Sequence, residues 1–148
     1  MEINTELFGK IQIDEDAIID FETGLPGFTE AKRFTLVEDK EHLTGVFCCL
    51  QSVDDPALAF TLLDIFSVMP EYNPLVDKRE ISDIGEYEKE DLDIYNILCM
   101  ADNIVDVTVN LKAPIVVNVK TKKGKQVIVD NEEYSIKYRI FEKLKNRK

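Results

Sequence analysis

Tryptophan is absent from this 148-residue chain, histidine occurs once, cysteine three times and glycine six times. Each shortage closes off a class of chemistry. A lone histidine, His42, cannot build a multi-histidine metal centre, and there is no Cys-x-x-Cys to complete one. Cys48 and Cys49 are consecutive, so on a strand their thiols face opposite ways. Cys99 sits in an apolar run, and all three thiols are expected to pack as small hydrophobes in a reduced protein. The glycines do not cluster into a phosphate-cradling loop, and neither Gly-x-Ser-x-Gly nor Gly-x-x-x-x-Gly-Lys occurs. The longest apolar runs, Val46–Leu50 and Ile97–Ala101, fall far short of the ~18 residues of a membrane span. Met1–Glu6 carry neither the basic nor the apolar region of a secretory signal. The expectation is a cytoplasmic protein with no membrane segment, cofactor, metal or catalytic residue.

What the chain does have is acid. Asp and Glu number 29 against 18 Lys and Arg, a net charge of −11. Residues 112–148 carry a net +7 and residues 1–111 a net −18. A surface of that sign repels nucleic acid and favours a basic protein partner. Carboxylates alone do not make an enzyme. A glycosidase pair needs two acids at a set separation in a cleft, and Asp54-Asp55-Pro56 reads as a turn between strands. The basic segment from about Phe141 onward lacks the interleaved aromatics of a single-strand-binding surface and reads as a tail, solvated or folded against the acidic body.

Periodicity points to a mostly β fold. Val105, Val107, Val109 and Leu111 alternate with polar residues, and Ile115–Val119, Val127–Val129 and Tyr134–Ile140 follow. Short turn signals at Ala113-Pro114, Lys123-Gly124 and Asp130-Asn131 join antiparallel neighbours, a meander. Earlier runs at Lys10–Ile13, Arg33–Val37, Val46–Gln51 and Leu58–Leu63 read as strands, the last apolar on both faces. Asp77–Asp93 holds eight acids and three bases, and its Ile81-x-x-Ile84 spacing can dock one helical turn before a strand over Asp91–Met100. The prediction is a single antiparallel domain over 1–148, a small β-barrel-like or rolled sheet with one or two short helical turns.

Several blocks resemble the flagellar assembly factor FliW family. They are Thr5–Ile11 with Phe21-x-x-Gly24-Leu25-Pro26-Gly27-Phe28, then Leu50–Phe60, then Val109–Asn118, with Gln126–Val129 and Tyr134 following. Glu22 and Ile65 stand where proline is common in that family, which touches local turn geometry. The resemblance implies a non-enzymatic cytoplasmic protein, a monomer when free, with two mutually exclusive partners. One is CsrA, a dimeric RNA-binding repressor of translation; the other is flagellin. Flagellin occupies the protein while export is stalled; once flagellin leaves, the freed protein binds CsrA away from its RNA groove and relieves repression. A small-molecule carrier with a ligand in the barrel mouth is the alternative.

For the CsrA surface, the sequence favours the acidic 77–93 stretch, with Glu86, Glu88 and Glu90 foremost. A polar face carrying Gln51, Asn110, Lys112 and Asn118 is expected to project beside it. Exposed β edges are the expected seat of an amphipathic flagellin segment.

Overall fold

The computed structural model describes residues 1–38 and 47–145, so His42 and Val46 lie outside it. β1 (Glu2–Thr5) and β2 (Gly9–Gln12) form a separate hairpin. β3 (Ile19–Asp20), β4 (Arg33–Val37), β5 (Phe47–Ser52), β6 (Ala59–Leu63) and β7 (Leu92–Cys99) each pair antiparallel with the next. The first half of β7 also pairs with β9 (Ile115–Asn118), β9 with β10 (Lys123–Gln126), and β10 with β3, closing a ring of seven strands. β8 (Thr108–Val109) pairs with the far end of β7 and carries β11 (Tyr138–Arg139) at its edge. The mostly β, rolled-sheet architecture expected from periodicity is the one observed.

Strand parity sorts the side chains. Phe34, Leu50, Leu62, Ile115 and Val117 meet Phe21 inside the ring, all at most 3% exposed. Their neighbours on the opposite face are buried too. Leu63 and Leu98 join an outer cluster closed by Ile65, Tyr72, Val109 and Ile140, while Val116 joins Ile81, Ile84 and Val127 in a third. This accounts for the apolar character of both faces of β6, and for Val116 breaking the alternation of β9.

Several expectations are corrected. The pairing of Lys123 with Asp20 is parallel, so the sheet is not purely antiparallel. Lys123-Gly124 is strand rather than turn; the chain reverses just before it, where Lys122 adopts φ +59°. A Cβ on Gly124 would lie 2.7 Å from the Phe21 ring, so this glycine makes room in the core. Val127 and Val129 are buried and donate their N–H groups to the carbonyls of Pro114 and Lys112, yet they lie outside any strand. Only Tyr138–Arg139 of the last run is strand, and Val105 sits in a 3-10 turn, Ile104–Asp106. Five 3-10 turns occur among the described residues where one or two helical turns were expected. Residues 141–145 form a short helix, α1, whose Leu144 packs on the outer cluster and whose Lys143 reaches Glu71 at 3.1 Å, so the tail begins folded against the body. Cys49 is buried and Cys48 half-buried, but Cys99, at the end of β7, is exposed.

Candidate functional site

Two amides expected to face solvent, Gln51 and Asn118, are internal staples. Gln51 is fully buried, and its Nε2 lies 3.1 to 3.4 Å from the carbonyls of Ser52, Leu58, Asp55 and Pro56, gathering the turn between β5 and β6. Asn118 is equally buried. Its Nδ2 donates to the carbonyls of Ile84 and Glu86 at 3.1 Å, and its Oδ1 accepts from the N–H groups of Lys120 and Thr121. Asn110 is half-buried and accepts from the N–H groups of Lys112 and Ala113. Lys112 turns its Nζ onto the carbonyl of Asn131 at 2.9 Å. The expected projecting face of Gln51, Asn110, Lys112 and Asn118 is therefore corrected. Gln51 and Asn118 lie beneath chain whose backbone groups only a buried polar side chain can satisfy, Asn110 closes its own turn, and Lys112 fastens the 129–131 segment.

The loop over Asn118 is the acidic stretch. Ile81 and Ile84, each 3% exposed, anchor it in the third cluster, with Tyr87 packed beside them. Thr121 Oγ1 donates to the carbonyl of Ile84 at 2.6 Å. Gly85 adopts φ +92°, and a Cβ there would lie 2.6 Å from Thr121 Cγ2, so only glycine lets the strap press this close. Because Tyr87 turns inward, Glu86 and Glu88 turn outward, and both are exposed, as is Glu90. Asp91 Oδ2 accepts from the N–H of Glu88 at 2.8 Å, which shapes the end of the strap. The strap is thus a pinned display of carboxylates. Thr121 was not foreseen, since a threonine in a turn carries no signal of its own. Gly85, a solitary glycine among acids, was the readable hint.

From the strap an ion-paired belt crosses the surface. Asp83 meets Lys125 at 3.4 Å, Lys123 meets Glu22 at 2.7 Å, and Arg33 engages Asp54 through both Nε and an Nη. The Arg33 hydrogen bond holds the Asp54 carboxyl below its usual range. Hydrogen bonds from Arg79 hold Asp77 down at about 2. These groups stay ionised at neutral pH and suit recognition rather than proton transfer. Burial pushes the Cys48 thiol up to about 12, which keeps it protonated and a poor nucleophile. Among the described residues, no three His, Cys, Asp or Glu side chains gather to hold a metal, and no helix is long and apolar enough to cross a membrane.

Comparison with known proteins places this geometry. The family model described as FliW protein matches residues 2–140. A Flagellar assembly factor FliW of Geobacillus sp. (strain WCH70) is 43% identical over 141 residues, covering 95% of this chain and 96% of that protein. Another, of Lachnoclostridium phytofermentans, is 34% identical over 148 residues, covering 99% and 95%. A solved structure described as the crystal structure of the flagellar assembly factor FliW superposes with TM-score 0.85 at 41% identity, over 95% of this chain and 96% of that one. With a full-length match in sequence and a shared ring of strands, the chain belongs to the FliW family of flagellar assembly factors.

Proposed function

We propose that this flagellar assembly factor works by binding alone. It is a cytoplasmic, non-enzymatic antagonist of CsrA that also binds flagellin and exchanges one for the other, so that flagellin export sets flagellin translation. The observation that carries this is the strap: Glu86, Glu88 and Glu90 stand exposed on a backbone fixed by Asn118 and Thr121. A fixed carboxylate array attracts the basic surface of an RNA-binding protein and repels RNA near the complex. For flagellin, β11 has β8 on one side only, an edge to which an extended segment can add.

The test is titration calorimetry of the purified chain with CsrA and with flagellin. Reversing all three charges, Glu86→Lys, Glu88→Lys and Glu90→Lys, is expected to weaken CsrA binding at least tenfold at low ionic strength and to flatten its salt dependence. Flagellin binding should survive the reversal, and flagellin should displace CsrA from the unaltered chain. Unchanged CsrA affinity in the triple variant removes the strap from the interface.

A further inference from the structure

Two of the sequence blocks that carry the family resemblance, Phe21–Phe28 and Leu50–Phe60, have no part in the strap, yet the fold brings them to one place. The loop after β3 and the turn between β5 and β6 face each other across an open concavity of about 500 Å³. Phe28, Ala31 and Leu58 supply its apolar lining, and Glu30, Asp54 and Asp55 stand exposed around it. Phe28 is 44% exposed although its ring is locked edge-on against Phe60, with centroids 5.4 Å apart.

Both walls are rigid before anything binds. Gly24 adopts φ +66°, and a Cβ there would lie 2.6 Å from the Thr29 backbone, so the loop folds tightly on itself. Phe28 donates to the Leu25 carbonyl at 2.7 Å, and Ala31 to the Phe28 carbonyl at 3.1 Å. On the other wall, Ser52 Oγ accepts from the N–H groups of Asp54 and Asp55, while Gln51 gathers the turn from beneath. An exposed aromatic flanked by Ala31 and Leu58 on a preformed surface is the arrangement of a binding hot spot, because little ordering cost remains to be met. The rim then sets the charge of what enters. Arg33 neutralises Asp54, whereas Glu30 and Asp55 have no ion pair among the described residues. The groove also continues the belt that begins at the strap and ends at Arg33 and Asp54.

We infer that this groove is a second contact of the basic partner, taking a segment that places one large apolar side chain against Phe28 and Leu58 and a flanking Lys or Arg against Glu30 and Asp55. The assignment rests on the reading above that the partner is CsrA, and it makes the recognition surface two-ended: carboxylates at the strap, an apolar seat with an anionic rim at the groove.

The experiment is calorimetry of the full chain with CsrA at about 0.05 M and about 0.5 M salt, with thermal melting of every variant. Thr29 is exposed beside the groove, so Thr29→Trp fills it without touching the core. This variant and Phe28→Ala should each weaken binding about tenfold at both salt concentrations. Thr29→Trp should leave the melting temperature little changed, whereas Phe28→Ala also gives up the Phe60 contact and should lower it by a few degrees. Phe28→Leu, which keeps an apolar seat, should bind close to the unaltered chain. Glu30→Lys should weaken binding severalfold at low salt only. Wild-type affinity in both Thr29→Trp and Glu30→Lys overturns the groove assignment. So does loss of flagellin binding with CsrA binding retained. If the strap triple variant loses CsrA while the groove variants keep it, the groove alone falls. Failure of the unaltered chain to bind CsrA overturns both readings.

Discussion

Asn118 holds together more chain than any other polar side chain near the strap. Truncation by Asn118→Ala strands the carbonyl of Glu86 and the N–H groups of Lys120 and Thr121, and leaves the Ile84 carbonyl to Thr121 Oγ1 alone. Water reaches some of these groups, so the expected loss is about 2–4 kcal/mol, read as a lower urea midpoint with unchanged slope. Asn118→Asp should not rescue it, because a carboxylate keeps the two acceptances but turns negative charge onto carbonyl oxygens. The same residue shows where sequence reading stops. Parity along β9 sets Asn118 apart from Ile115 and Val117, which face the inside of the ring. Parity cannot say whether the other face of the strand meets water or another layer of chain. Here the strap covers it, and Asn118 became an internal fastener.

At the scale of elements, runs with their own hydrophobic signature were legible and runs defined by partners were not. Arg33–Val37 and the β6 run are seen where the alternation and β-branched content put them, and Ile81 and Ile84 anchor a 3-10 turn as their spacing required. β10, Lys-Gly-Lys-Gln, carries no such signature; it is a strand because β9 offers it a ladder and the Phe21 ring excludes a Cβ at Gly124. The groove was hidden for a similar reason, since its walls lie about 25 residues apart in sequence. α1 separates two kinds of contact within one short helix. Lys143 and Glu71 are exposed partners, so Lys143→Ala should leave stability unchanged within error. Leu144 packs against the outer cluster, and Leu144→Ala should cost about 1–2 kcal/mol, a value reduced from full burial because the side chain is only half-covered. A chemical denaturation series on the two variants separates packing from charge as the hold on the tail.

For the whole molecule, the ionisable groups shifted by folding set its pH range. On the acid side, Asp54 and Asp77 are held low by Arg33 and Arg79, and Glu71 by a hydrogen bond to its own backbone and by Lys143. Carboxyls depressed in the folded state lend stability above their unfolded values, near 4, and withdraw it as pH falls toward the folded ones. The alkaline side has the opposite sign. Cys48, Tyr72 and Tyr95 are each pushed up to about 12, chiefly by burial. Their protonated forms are favoured by folding, so they stabilise below their unfolded values and lose that contribution as pH rises to about 12. For Cys48 the window opens near pH 9, for the tyrosines near 10. Within it, each group changes stability by at most about 1.4 kcal/mol per pH unit, and less where water screens it. A net charge of −11 adds its own repulsion as lysines lose their protons, so an alkaline decline alone would not identify these groups. Comparison with Cys48→Ala does, since the thiol it removes carries the same packing cost at every pH. Urea midpoints of the two proteins should run parallel from about pH 6 to 9 and then converge, the unaltered chain falling more steeply because only it carries Cys48, whose thiol ionises in the unfolded chain while folding keeps it protonated; parallel curves through pH 12 would mean that Cys48 ionises in the folded state at no cost, and that the ring wall around it opens to water.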